Sequence, residues 1–219
     1  MSTIFSKSYL PSNRQLQRMS LAVFGAVLIV DIGLLLVIAI SIFSPKRRIW
    51  PPPKMNSWQQ YLSWIFFTVV MFGVLFLGIL DFESLGYFHW SRYILGAFLF
   101  SVGLGIDFWG TRTLSAQQSL GESGKIITEG PYRYTRNPQY LGFIILYAGL
   151  IVAFSSLLAL VTGLFAIFLF LVLPFSEEPW LLQQHGQPFE DYCKRVPRFI
   201  GLKTFKPSTN ELYSQQESN

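Results

Sequence analysis

Five apolar runs constrain this chain more than any other feature: residues 20–43, 61–80, 93–109, 139–154 and 157–175. About 20 apolar residues cross the hydrocarbon core of a bilayer as a helix, the form in which a single segment satisfies its own backbone donors and acceptors. Only 13% of the 219 residues are charged. A soluble domain carries about a quarter, so this chain has too little charge to cover a water-facing surface. The expected fold class is all-α, a polytopic membrane helix bundle with about five transmembrane helices in one integral membrane domain. The run at 139–154 amounts to roughly 24 Å of helix, a little short of the ~30 Å core.

Taken in order, residues 1–18 are polar, with Lys7, Arg14 and Arg18. The run after them is far longer than the ~7–15 residues of a secretory signal core. No small-residue cleavage site follows at Ser44-Pro45-Lys46-Arg47-Arg48, so the run is read as a span. Asp31 sits in its middle, where a charged carboxylate costs about 2.5–3.5 kcal/mol on insertion scales. It is read as protonated or hydrogen-bonded against a neighbouring helix. Trp50-Pro51-Pro52-Pro53 cannot be helical and forms a stiff connector. Trp58, Tyr61 and Trp64 open the second run as an aromatic belt, and Asp81 and Glu83 close it. Gly96, Gly103 and Gly105 give the third run a smooth face for close helix contact. Residues 110–129 are the longest polar connection and lead into Gly130.

Only Ser155 and Ser156 separate the fourth and fifth runs, which demands a tight antiparallel hairpin. Residues 177–195 read as one or two short interfacial helices broken at Gly186-Gln187-Pro188. The chain thus divides into a polar N-terminus (1–18), three spans with their loops (19–129), a motif region with the hairpin (130–206) and a disordered polar tail (207–219).

Several function classes drop out. The one cysteine, Cys193, excludes an internal disulfide, and His89 and His185 lack metal-ligand spacing, so no metal site is expected. The net charge of +5 comes without a basic run interleaved with aromatics, which argues against a nucleic-acid partner. Gly103-Leu104-Gly105 lies inside an apolar run with no strand before it, so it is no dinucleotide loop. Five spans place the termini on opposite sides. Lys46, Arg47, Arg48, Lys54, Arg112, Lys125, Arg133 and Arg136 then share the C-terminal side, which predicts a cytoplasmic C-terminus.

Residues 130–142 read G-P-Y-R-Y-T-R-N-P-Q-Y-L-G, directly ahead of the fourth run. Gly130-Pro131 is turn chemistry, and Pro138 suits the first turn of a helix. Arginine offers a rigid fork of donors for a carboxylate or phosphate, and tyrosine faces suit a cation. The fifth run ends on a second polar cluster, Glu177-Glu178. A basic-aromatic loop and an acidic pair therefore bracket one helical hairpin. As ordinary membrane residues, Arg133 and Arg136 would be interfacial anchors, the tyrosines belt residues, the glutamates a solvated cap and Asn137 a helix cap.

That loop, then E-E-x-x-L, then Tyr192-Cys193-Lys194-Arg195-Val196-Pro197, resembles the isoprenylcysteine carboxyl methyltransferase family. It is also similar to the wider group of membrane phospholipid methyltransferases. The resemblance covers residues 130–199; the family often has Arg-His-Pro where this chain has Arg136-Asn137-Pro138. It implies an enzyme dependent on S-adenosylmethionine, with the cofactor held by loops over a helical bundle in a C-terminal cytoplasmic region. It implies cofactor contacts at Gly130, Pro131, Tyr132, Arg136, Asn137, Pro138, Tyr140, Leu141, Gly142, Glu177 and Glu178, with Arg136, Glu177 and Glu178 carrying catalysis. The implied partner is a lipid-like or prenylated acceptor that enters sideways from the bilayer.

The side chains fit the chemistry of that donor. Arg136 suits its carboxylate, and Glu177 or Glu178 its amino group or ribose hydroxyls. Tyr132, Tyr134 and Tyr140 offer faces to adenine or the sulfonium, and the helix start at Pro138 favours an anion. Methyl transfer is an in-line displacement, which needs alignment more than acid or base. A carboxylate acceptor is already nucleophilic; an amine must arrive deprotonated, with Glu177 or Glu178 assisting. No Ser-His-Asp or Cys-His arrangement is apparent, and Cys193 reads as an inert interfacial thiol. Two other classes compete. Membrane reductases of the sterol-reductase type, which use a dihydronicotinamide, carry a similar Arg-x-Pro-x-Tyr motif and Tyr-Cys tail, but the Glu-Glu-x-x-Leu element argues against them. A non-enzymatic membrane protein would need a polar through-path, for which only Asp31 is a candidate.

Overall fold

The computed structural model describes residues 13–54, 56–114, 126–201 and 204. The start of the polar N-terminus, the middle of the 110–129 connection and the tail at 207–219 lie outside the described residues. Among the described residues all regular structure is helical. The helices are α1 (Asn13–Phe43), α2 (Trp58–Leu80), α3 (Ser91–Thr113), α4 (Pro138–Phe154), α5 (Leu157–His185) and α6 (Gln187–Arg195), with single 3₁₀ turns at Pro45–Arg47 and Gly130–Arg133. Four helices, over Arg14–Phe43, Trp58–Leu80, Ser91–Thr113 and Leu157–His185, are long and apolar enough to cross a membrane. The fifth, α4, has 17 residues and is the short one the sequence anticipates. Large apolar side chains stay on the outside, Ile29 72% exposed, Phe98 62% and Phe168 51%. Such a belt belongs in lipid, and the chain is an integral membrane protein.

Successive spans alternate direction. One end of the bundle gathers the 44–57 connector, the 130–137 loop and the described residues after α5. The other end gathers residues 81–90 and the α4–α5 turn. There the hairpin is as tight as expected: Ser155 adopts a left-handed φ of 49°, and Ser156 caps α5 by accepting from the Ala159 amide at 3.1 Å. Asp81 Oδ2 accepts from Ser156 Oγ at 2.7 Å and from the Leu158 amide at 3.1 Å, which ties α2 to the turn. Arg92, buried at 2% exposure, pairs with Glu83 and lies 4.4 Å over the Tyr93 ring.

The core joins α1, α2, α4 and α5. Leu34, Ile38, Val70, Val74, Tyr147, Leu169 and Leu173 are buried there, and Phe170 stacks on Phe143 at 4.8 Å. Asp31 is fully buried in this interior, as its position suggested. Neither carboxyl oxygen has a hydrogen-bond partner among the described residues, which leaves the protonated acid of the two forms the sequence offered. The third span packs on α4 along a glycine seam. A Cβ built on Gly103 would lie 2.5 Å from the Gly142 carbonyl oxygen and the Leu146 amide; one on Gly149 would lie 2.6 Å from the Phe100 amide. Gly96, Gly103 and Gly110 recur every seven residues, opposite Gly142 and Gly149, so one stripe on each helix brings the backbones together. Gly105, grouped with them from the sequence, has nothing within 4 Å and faces away.

Two helix ends differ from expectation. α1 reaches back to Asn13, because residues 13–19 include neither glycine nor proline. α5 does not stop near Phe175 but runs on to His185, through Pro174 and Pro179. Proline removes a donor, which should break a helix. Here Leu173 and Pro174 are buried, and the next turn is bonded to three other segments, so tertiary contacts override the local cost. The acidic pair therefore lies inside a helix, not after one. The break at Gly186, with φ 58°, occurs where the sequence placed it.

Candidate active site

The connector after α1 is pinned before it reaches the site. Ser41 Oγ accepts from the Ile49 and Trp50 amides, both at 3.1 Å, and donates to the Val37 carbonyl at 2.8 Å. This fixes Trp50, whose buried ring meets Phe67 edge-on at 5.1 Å. Its indole Nε1 donates to Glu177 Oε1 at 2.6 Å. The hydroxyl of Tyr140, on the first turn of α4, donates to the same oxygen. One carboxylate oxygen on α5 thus collects donors from the connector and from α4.

Glu178 points elsewhere. Arg198 forks onto it, Nε to Oε1 at 2.8 Å and Nη2 to Oε2 at 2.5 Å, with its guanidinium 4.0 Å over the Phe175 ring. Arg136 Nη1 reaches Glu178 Oε1 at 2.9 Å and also donates to Cys193 Sγ at 2.8 Å. Two guanidiniums thus surround one carboxylate, leaving one positive charge over. Arg136 Nε is buried without a partner among the described residues. Glu178 holds the Arg198 guanidinium above its ordinary pKa, whereas burial pushes the Cys193 thiol up against the opposing pull of Arg136.

The loop carrying Arg136 is stitched to the chain after α6. The Arg136 amide donates to the Pro197 carbonyl at 3.0 Å; Thr135 Oγ1 and Asn137 Nδ2 both donate to the Arg198 carbonyl at 3.0 Å. Asn137 occupies the N-cap position of α4 without capping it, because its side chain is engaged in that bond. Pro138 opens the helix as expected. Gly130 takes a positive φ of 55° at the start of its 3₁₀ turn. Tyr132 is buried, its carbonyl accepts from Tyr192 at 2.8 Å, and burial raises its hydroxyl pKa.

The structure therefore brings Arg136, Tyr140, Glu177 and Glu178 to one end of the hairpin, with Tyr132 and Pro138 beside them. Gly142 faces α3, where a Cβ would lie 2.7 Å from the Asp107 amide. Among the described residues no three His, Cys, Asp or Glu gather as metal ligands. Sequence reasoning overlooked Trp50 and Arg198. A tryptophan ahead of three prolines gives no local hint of a partner on α5, and Arg198 looked like one more basic residue of the tail.

Residues 91–188 match the phospholipid methyltransferase family model. A protein-S-isoprenylcysteine O-methyltransferase B of Arabidopsis thaliana is 32% identical over 78 residues, 35% of this chain and 39% of the relative. A steroid 5-alpha-reductase DET2 of Solanum lycopersicum is 26% identical over 111 residues, 51% of this chain and 43% of that protein. The matches thus span about two fifths of the length of these curated relatives. No solved structure matches the chain. The family match thus runs from the start of α3 into α6, and the helical hairpin that holds the two carboxylates lies inside the part of this membrane protein that is similar to the phospholipid methyltransferases.

Proposed function

We propose that the chain is an integral membrane methyltransferase that uses S-adenosylmethionine and acts on a lipid-like or prenylated acceptor. The observation that carries the reading is the Arg136–Glu178–Arg198 cluster: a carboxylate set between two guanidiniums, with the Arg136 Nε donor unspent. That donor set complements an amino acid zwitterion. Arg136 takes the carboxylate of the donor and Glu178 its ammonium. Both donors to Glu177 land on Oε1, which leaves Oε2 to accept from a ribose hydroxyl or an acceptor's proton. Tyr132 and Tyr140 supply aromatic faces, and Gly130, Pro131, Asn137, Leu141 and Gly142 shape the loop and helix start around them.

The bound cofactor supplies an electrophilic methyl group on a sulfonium. The chain's part is to hold both partners in line and exclude water. A thiol or amine acceptor also loses a proton, for which Glu177 is the candidate base, since both oxygens of Glu178 are engaged by arginines and Glu177 keeps Oε2. We further propose that this end faces the cytoplasm. Lys46, Arg47, Arg48, Arg112, Arg133, Arg195 and Arg198 crowd it, whereas the opposite end carries Arg14 and Arg18 on α1, and Arg92, which Glu83 neutralises.

Calorimetric binding of S-adenosylmethionine to the purified protein tests the reading. Arg136→Ala and Glu178→Ala are expected to lose it while remaining monodisperse and helical; unchanged affinity in both rejects the assignment. The similarity to a steroid reductase supports a second reading, a reductase using a dihydronicotinamide. Tight binding of that cofactor without S-adenosylmethionine binding would favour it.

A further inference from the structure

A polar cavity lies at the same end of the bundle, lined in part by the connector that carries Trp50. Its volume is about 620 Å³. The 3₁₀ turn after α1 supplies Lys46 and Arg47, followed by Arg48; α2 supplies Trp58; the last turns of α5 supply Trp180 and Gln184. Three cations line it and no acid does. Among the described residues none of the three forms an ion pair; the glutamates nearest in sequence on α5 are spent on Trp50, Tyr140, Arg136 and Arg198. The Arg48 guanidinium lies 5.0 Å over the Trp180 ring, and its Nε is buried with no partner. Burial without a counter-charge lowers the Arg48 pKa.

An uncompensated trio of cations in a cavity calls for an anion of several oxygens, and phosphate is the common one. Position argues for its source. Trp58, 64% exposed, lines the cavity and with Tyr61, 57% exposed, one turn on, marks the membrane interface, while Ile40 on α1 adds an exposed apolar side chain to the lining. We propose that this cavity binds the phosphate headgroup of an anionic membrane phospholipid, as an accessory ligand and not as the methyl acceptor. Bound there, the lipid clamps the α1–α2 connector to the end of α5. That is the connector which carries Trp50 to Glu177.

The test is lipid retention by the full-length protein in detergent, read by native mass spectrometry after incubation with phosphatidylglycerol, with phosphatidylcholine, or with inorganic phosphate alone. The wild type is expected to keep phosphatidylglycerol at least tenfold over phosphatidylcholine. A Lys46→Gln/Arg47→Gln/Arg48→Gln variant is expected to hold it roughly a hundredfold more weakly, since each basic residue near a lipid surface contributes about fivefold. Arg112→Gln, which removes a cation at the same end but outside the cavity, keeps the preference. Equal retention of the two lipids by the wild type, or an equal loss in Arg112→Gln, overturns the proposal. Retention of inorganic phosphate with no lipid preference overturns the lipid source. Because the readout is lipid mass, the result stands whether or not the neighbouring cluster binds a methyl donor.

Discussion

Adding one methyl group at Gly103 and one at Gly105 separates the glycine seam from general helix propensity. At Gly103 the new carbon would sit 2.5 Å from two backbone atoms of α4, the Gly142 oxygen and the Leu146 nitrogen. Ordinary contact needs about 3.4–4 Å, so α3 and α4 must part by ~1 Å. Overpacking costs roughly 1–3 kcal/mol where side chains can yield. Both obstacles here are backbone, which puts Gly103→Ala at the upper end, about 3 kcal/mol. At Gly105 nothing lies within 4 Å; that alanine is expected to be neutral or stabilising by ~0.5–1 kcal/mol through lost backbone freedom. Two identical chemical changes, two residues apart, should therefore differ by about 3–4 kcal/mol, a hundredfold or more in the unfolding equilibrium. Unfolding by a denaturing detergent titrated into mild micelles, followed by circular dichroism and tryptophan fluorescence, measures the difference. If the two variants agree within ~0.5 kcal/mol, backbone approach does not hold α3 in place and the seam is an accident of the sequence.

Other perturbations address the site and the opposite end. Trp50→Phe keeps a ring against Phe67 but deletes the Nε1 donor; losing this internal hydrogen bond should cost ~1–3 kcal/mol in melting and, on the proposed function, also weaken S-adenosylmethionine binding in calorimetry by freeing the Glu177 side chain. Asp81→Asn weakens the bonds to Ser156 and Leu158 and should cost ~1–2 kcal/mol of stability, with cofactor affinity intact because it lies at the far end. Burial raises the Cys193 pKa, so less thiolate is present at a given pH and its alkylation should trail that of an exposed thiol until the pH is higher. Arg136→Ala removes the positive neighbour that favours the thiolate and should move the rate–pH curve further up; a downward move contradicts the contact.

The spans were readable because a bilayer imposes length and apolarity on each one, a purely local demand. The Ser155-Ser156 turn and the Gly186 break were readable for a similar reason, since each is written in two or three adjacent residues. The continuation of α5 through Pro174 and Pro179 was not, because the bonds that hold it come from Trp50, Tyr140 and Arg136. The seam was half visible: Gly103 was picked out, but only the facing backbone of Gly142 and Gly149 distinguishes it from Gly105. At the site, the motif singled out Arg136 and the glutamate pair, and the structure gathers them. It could not say that the two glutamates turn to different neighbours, nor that Asn137 spends its amide on the Arg198 carbonyl and leaves α4 uncapped.

α3 overhangs α4 at both ends: Gly110 lies against Pro138 and Gln139, and Gly96 against Ala153, near the two limits of the shorter helix. Flanked by taller neighbours, a 17-residue helix is expected to be met by a thinner bilayer beside Pro138. On the proposed function, a lipid acceptor at such a thinned patch would present its polar head at the depth of Arg136 while its tails stay in hydrocarbon. A substrate with one foot in oil would then need no lifting out of the bilayer to meet a water-soluble reagent.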